Sequence, residues 1–200
     1  ASEQWTARYV HETIALAFSV TEEAVEDNLY DTLSKRYTAA LARSMAYTKQ
    51  VKAANVLNNG FSSSYVGGDA KALMTTDHPT LEAGDLANEP STAADLSETS
   101  LESAIISIGG FVDDRNVPVA VNARKLIIPK DLAFTAQRIL KSDLRVGTAD
   151  NDTNAMRSMN ILPQGYAVNH YLTDTDAWFI LTDMVNSGLK MFQRRPLKTS

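Results

Sequence analysis

From Thr21 to Asn59 the chain contains neither Gly nor Pro. No other feature constrains the fold as tightly, because those two residues are the usual interruptions of a helix. Within the stretch, Val25, Leu29, Leu33, Tyr37, Leu41, Met45, Thr48 and Val51 or Lys52 recur at intervals of three or four. That spacing places them on one face and predicts a single long helix. Its start is marked by Ser19-Val20-Thr21-Glu22, a capping-box pattern in which Thr21 is the rival cap. Asn58-Asn59-Gly60 is the stop. Drawn from Thr21 to Asn55, the helix reaches about 50 Å. Its acids (Glu22, Glu23, Glu26, Asp27, Asp31) all precede its bases (Lys35, Arg36, Arg43, Lys49, Lys52). The outermost of these oppose the helix dipole favourably, and Asp31 is one turn from Lys35. The apolar face is not a sustained heptad seam, so a coiled coil does not account for it. A 200-residue chain is too small to cover such a helix along its whole length, and something else is expected to cover part of it.

Composition narrows the function. With 44% hydrophobic and 22% charged residues, the chain reads as ordinary globular protein of one or two domains. It has no apolar run long enough to span a bilayer and no signal peptide, so no membrane partner is expected. Its lack of cysteine excludes disulfides, thiolate zinc sites and cysteine nucleophiles. A start at Ala1-Ser2-Glu3 reads as a processed chain or a piece of something longer. The net charge of −5 argues against a dedicated nucleic-acid binder. Charge is also segregated. Between Lys71 and Arg115 lie nine acids and no Lys or Arg, whereas Asn186 to Ser200 holds four bases and no acid. Two solvated faces would produce this; so would complementary patches that orient copies of one subunit.

Around the long helix the pattern is mixed. Ile14, Leu16, Phe18 and Val20 alternate with smaller residues over Thr13 to Val20, which predicts a strand. Residues 60 to 96 form a long excursion rich in turn residues, and loops of that length are usually functional or contact arms. DLSETSLESAIISI predicts a capped helix with Leu101, Ala104, Ile105 and Ile108 inward. FVDDRNVPVAV reads as a turn and strand, RKLIIP as a short buried strand, and KDLAFTAQRILKS as a helix with Leu132, Ala136, Ile139 and Leu140 inward. GYAVNHYL and DAWFILTD read as strands linked by Thr173-Asp174-Thr175, and GLKMFQ as a last strand. Without strict βαβ alternation, the fold class is α+β.

No assembled catalytic motif is present. In GTADNDTNAMRS, Asp150, Asp152 and Asn154 match the first ligands of a calcium loop, but Ala155 stands where Gly is needed and Ile161 where the bidentate Glu is needed. The favoured reading is that these short polar side chains cap the helix that follows. Asn151-Asp152-Thr153 matches a glycosylation acceptor, with nothing to mark the chain as secreted. GFSSS lacks the second glycine of a nucleophile elbow, and no phosphate-cradling glycine loop occurs. His11, His78 and His170 have no ligand spacing. His170 with Asp174 and Asp176 can be drawn as an acid–base cluster, although carboxylates beside a turn more often cap it. Trp178 and Phe179 read as core anchors. Lys and Arg around an aromatic in KMFQRRPLK give weak support for nucleic-acid contact. The alternatives from this reading are a metal-dependent hydrolase using the Asp-rich loop and a non-shell virion or scaffold component.

The order of FSVTEEAVEDNLYDTL, MTTDHPTL, DLSETSLESAI, RKLIIPKDLAFTAQRILKS, GTADNDTNAMRS and YLTDTDAWFILTD resembles the major capsid (head) proteins of tailed bacteriophages, closest to the Mu-like prophage head subunit branch. The resemblance covers roughly residues 5 to 195. It implies the capsid fold of that family, with 1–20 as the return strand of an extended loop and 21–90 as a peripheral domain. That domain would hold a spine helix at 21–55 and a peripheral loop. Residues 91–187 would form an axial domain, and 188–200 would return toward the peripheral domain. The family's N-terminal arm, the outgoing half of its extended loop and its closing segment after Lys198 are not recognised, which implies a central fragment. Such proteins catalyse nothing and need no cofactor or metal. They join copies of themselves, as pentamers and hexamers, into an icosahedral shell around double-stranded DNA held only non-specifically. Portal and scaffold proteins are the other expected partners. The location is the virion, and the host bacterial cytoplasm during assembly. Candidates for contacts between copies are Asp113, Asp114, Arg115, Asp150, Asp152, Arg194 and Arg195.

Overall fold

A computed structural model describes residues 5–6, 8–27, 30–145, 152–184 and 189–195. The chain divides into two compact units, Tyr9–Val56 and Ala1–Arg8 with Leu57–Ser200.

The smaller unit is built on helices α1 (Glu22–Glu26) and α2 (Tyr30–Asn58). Helix is found where the missing Gly and Pro predicted it, and it stops at Asn58 as the Asn-Asn-Gly signal requires. The expected single rod from Thr21 to Asn55 is corrected in two ways: α1 closes at Asp27, and α2 runs on to Asn58. Asp27, the C-cap of α1, is of a type whose side chain competes for backbone hydrogen bonds and weakens a helix interior. Thr21, not Ser19, is the N-cap of α1, and its side chain makes no capping bond. At 1.5 Å per residue α2 is about 43 Å long. Leu33, Leu41, Met45, Thr48 and Val51 are half-buried and Ala54 and Leu57 are buried, while Tyr37 and Val56 are exposed. The repeat therefore marks the right face, but the chain covers it thinly. Intrinsic propensity helps explain why α2 persists with so little burial: Ala39, Ala40, Ala42, Ala46, Ala53 and Ala54 are the best helix formers.

Residues 9–20 follow this helix in reverse. Glu12 pairs with Lys52 at 2.7 Å, and the ring of Phe18 lies 5.6 Å from that of Tyr37. From Glu12 to Phe18 an extended chain covers about 20 Å. From Lys52 back to Tyr37 the helix covers about 22 Å, so the two ties match an extended segment laid antiparallel along α2. The predicted strand is nevertheless absent: no described residue of 13–20 joins a ladder. Ile14, Leu16 and Phe18 stay 41%, 52% and 42% exposed. Alternation specifies a face, but a strand also needs a neighbour for its N–H and C=O groups.

The larger unit has a central sheet in the order β4-β3-β5. Strand β3 (Ala123–Ile128) pairs in parallel with β4 (Tyr166–Val168) and antiparallel with β5 (Phe179–Thr182). A 3₁₀ turn (Lys130–Leu132) and helices α4 (Ala133–Lys141) and α5 (Ala155–Ser158) form the crossover from β3 to β4. At its end Gly165 takes a φ of 63°, which a residue with a Cβ adopts only with strain. Gly165 O then accepts from Leu126 N at 3.0 Å and starts the parallel ladder. Helix α3 (Glu98–Gly109) is closed by a capping box in which Ser97 and Ser100 each receive the other's backbone N–H. Leu101, Leu126, Ile128 and Ala136 have no exposed surface and centre one hydrophobic core.

Of the inward residues expected of α3 and α4, Leu101, Ile108, Ala136 and Leu140 are buried, and Ala104, Ile105, Leu132 and Ile139 are half-buried. Other expectations are corrected. The strand in FVDDRNVPVAV shrinks to one bridge, Val112 to Pro118, because proline has no N–H to extend a ladder. GYAVNHYL and DAWFILTD are strands only at β4 and β5, and they flank β3 without pairing with each other. The described residues 189–193 of the expected last strand join no ladder. The excursion at 60–96 contains a short antiparallel pair, β1 (His78–Pro79) with β2 (Asp85–Leu86).

Candidate functional site

The excursion after α2 is ordered by polar side chains. Asp69 turns back on Lys71 N at 3.2 Å, and its other oxygen lies 2.6 Å from His78 Nδ1. Lys71 Nζ reaches Asp77, whose second oxygen accepts from Thr75 Oγ1 at 2.5 Å. Asn88 clamps the segment 73–75: its Nδ2 donates to Leu73 O at 2.7 Å and its Oδ1 accepts from Thr75 N at 2.9 Å. These bonds replace the regular ladders that a loop with little periodicity lacks. Burial would raise the Asp69 carboxyl, but the bonds from His78 and Lys71 N outweigh it and hold it below the usual range. Asp77 is held low by Lys71 and then Thr75, while Asp77 holds Lys71 high.

Beside this network opens a groove of about 300 Å³. Phe61, Val66, Ala72 and Met74 give it an apolar floor, with Asp77 and Glu89 among its polar lining. One side of Phe61 is held by stacking on Phe179, the ring centroids 5.7 Å apart. An Asp–His pair is also half of a general-base arrangement. His78 Nε2, however, is buried and meets no hydrogen-bond partner among the described residues, so no nucleophile is aligned on it. What this pair does is tie two turns together.

The acid–amide loop resolves at its second half. Asn154 is the N-cap of α5: its Oδ1 accepts from Arg157 N at 3.3 Å. Its Nδ2 donates to Ile139 O at 2.6 Å and Ser142 O at 3.1 Å, at a site where the residue is 4% exposed. The capping expectation is borne out there, and the third would-be calcium ligand is occupied in joining α5 to the end of α4. Asp152 has an exposed side chain, and its main-chain O accepts from Arg145 N at 2.9 Å. Asp150 lies outside the described residues.

The remaining contact candidates lie on two separate segments. Asp113 closes its own turn, with Oδ1 accepting from Arg115 N and Val117 N at 2.9 Å each. These backbone bonds hold its carboxyl low. Asp114 is half-buried, and Arg115, Arg194 and Arg195 are exposed. Beyond the neighbours of that turn, the structure brings none of these candidates together among the described residues. The drawn cluster at His170 does not form either. His170 is exposed and pairs with neither carboxylate, while Asp174 accepts from Asp176 N at 3.3 Å as a turn cap would. A hydrogen bond between the two carboxyls lowers Asp174 and raises Asp176. Trp178 is a core anchor, its Nε1 donating to Ala94 O at 3.0 Å.

Two ties escaped sequence reasoning. Asp183 accepts from Asn122 N at 2.8 Å and Arg124 at 3.1 Å, closing the sheet from β5 to the start of β3. Asn58, at the end of α2, donates to Tyr171 O and accepts from Thr173 N, both at 3.0 Å. The partners are over fifty residues apart, so no local pattern could reveal them. The Asn-Asn-Gly stop did flag Asn58 itself.

Compared with known protein families, the chain matches the family described as phage capsid protein, over residues 5–197. No curated protein and no solved structure matches it.

Proposed function

The chain belongs to the phage capsid protein family, and from that premise we propose that it is the major head subunit of a tailed phage of the Mu-like branch. A capsid protein is a structural component of the virion. In the finer reading, copies of this one close into an icosahedral shell of pentamers and hexamers around packaged double-stranded DNA. Assembly takes place in the host bacterial cytoplasm, with portal or scaffold proteins as further partners. The observation that carries the reading is the family match across nearly the whole chain.

Physical support comes from the smaller unit. Ile14, Leu16, Phe18, Tyr37, Tyr47 and Val56 all remain exposed on it. Apolar surface of this extent is a mark of protein–protein contact, and further copies of the chain would supply the cover. In this reading α1 and α2 are the spine of the peripheral domain (21–90), and 1–20 is the return strand of the extended loop. The core of the larger unit is then the axial domain (91–187), with 188–200 returning toward the periphery. The chemistry asked of the chain is shape and contact, with no reaction to catalyse.

Electron microscopy and light scattering of the purified protein test the proposal. Closed shells are the expected result. Soluble oligomers of fixed size would point instead to a scaffold or other non-shell virion component. A protein that stays monomeric at high concentration would overturn both readings.

A further inference from the structure

Two surface features of the larger unit are complementary in charge and in apolar character. The first is the groove beside the excursion. Between Leu57 and Ala93 the chain carries five acids (Asp69, Asp77, Glu82, Asp85, Glu89) against the single base Lys71. Lys71 is already engaged by Asp77, and Asp85 also acts on it. Its lining sets apolar Phe61, Val66, Ala72 and Met74 beside Asp77, Glu89 and Lys71, two acids against one base. The second feature is the segment 189–195, Leu-Lys-Met-Phe-Gln-Arg-Arg, with three bases and no acid. Every residue of it is exposed, Leu189 at 58% and Met191 at 65%.

We infer that the groove floored by Phe61, Val66, Ala72 and Met74 is the docking site for residues 189–195 of a second copy of this chain. Met191 and Leu189 would fill the apolar floor, and Arg194 and Arg195 would face the acids around it. Charge complementarity selects this occupant: a basic segment approaching a net-negative rim gains attraction, while an acidic or uncharged apolar peptide would not. The contact joins two different patches, so each subunit offers a donor and an acceptor. Such heterologous contacts build rings, or open chains where the rotation does not close. The inference rests on the self-assembly reading above and gives it a specific contact.

Charge-reversed variants mixed in trans test it. One carries Glu82→Lys, Asp85→Lys and Glu89→Lys; the other carries Arg194→Glu and Arg195→Glu. Each alone should raise the concentration needed for self-association at least tenfold in low salt, with melting temperature as the control for folding. An equimolar mixture should restore association, because each variant's segment then meets a groove of opposite sign. Restoration only when all five changes sit in one chain would mean that the segment docks on its own molecule, and would overturn the inference. So would variants that associate like the unaltered protein.

A labelled peptide of residues 189–195 gives a second measurement, independent of assembly. It should bind the unaltered protein more tightly than the groove variant, and equal binding to both would also overturn the inference. If the protein forms shells that the reversals leave intact, this contact fails while the shell reading stands. If the peptide binds but no assemblies form, the shell reading is the one that fails.

Discussion

The two units of this chain solve the same problem, keeping a helix in place, by different means. In Leu57–Ser200, α3 and α4 bury Leu101, Ile108, Ala136 and Leu140 in one core with β3. In Tyr9–Val56, α2 is more than twice as long as α3 and has its apolar face only half covered. One region is held by tertiary packing. The other draws on alanine-rich propensity, with ties such as the Glu12–Lys52 ion pair and the tilted rings of Phe18 and Tyr37. An exposed ion pair is worth at most about 1 kcal/mol, so the helix unit has little stability of its own to lose. A helix can therefore persist on the propensity of its own residues while much of its apolar face stays uncovered.

The sharpest way to break this comparison is to cut a methyl-bearing side chain from each region. Leu126→Ala should destabilise the larger unit by about 3–5 kcal/mol, read by chemical denaturation, since Leu126 is wholly buried. Met45→Ala in α2 should cost under about 1 kcal/mol, because the lost half-burial is offset by the better propensity of alanine. Similar losses at both sites would show that α2 is packed as tightly as the core.

Next in size is Asn154→Ala. It removes the cap of α5 and leaves the carbonyls of Ile139 and Ser142 without their donor in a buried place. A loss of about 2 kcal/mol is expected. Substitution to Asp should not rescue it, because a carboxylate can cap but cannot donate to those carbonyls. Full rescue by Asp would mean that capping alone matters.

The smallest effect concerns acid. The bonds to Asp69, Asp113 and Asp183 outweigh any burial and hold these carboxyls below their usual range. A carboxyl with a lowered folded pKa stabilises fully above its unfolded value, about 3.9 for Asp. That stability is lost as pH falls through the folded value. Asp176, raised by Asp174, works in the opposite sense: its contribution is present in acid and fades as pH rises. The lowered group is the larger, so acid should loosen the sheet unit below about pH 4. In a Trp5→Phe background, Trp178 emission should shift before the helical circular-dichroism signal falls. Coincident transitions would show that the sheet and the long helix lose their structure together.

Much of the fold was legible locally. Missing Gly and Pro located the long helix, and the pattern of DLSETSLESAIISI marked α3 as a capped helix with Leu101, Ala104, Ile105 and Ile108 inward. The capping role of Asn154 was legible too, because a loop-to-helix junction needs a short polar side chain whatever the rest of the chain does. Less of the candidate site was legible. Charge segregation pointed to Arg194, Arg195 and the acidic stretch, but the groove that gives those acids a floor was invisible. Phe61, Val66 and Met74 follow no period, and side-chain bonds from Asp69, His78, Asn88 and Lys71 order their loop.

Sequence by itself determined which segments are helical, which of their faces are apolar and where charge of each sign accumulates. Those properties arise mostly from neighbours within a turn or two, although the end of α1 at Asp27 was not read from them. Only the tertiary structure decided that β3 lies between β4 and β5, that Asp183 closes the sheet on Asn122 and Arg124, and that Ile14, Leu16 and Phe18 find no ladder. Each of these depends on whether a distant segment arrives to accept a hydrogen bond or cover a side chain. Periodicity shows that a face needs a partner; it carries no information about which segment, or which molecule, supplies one.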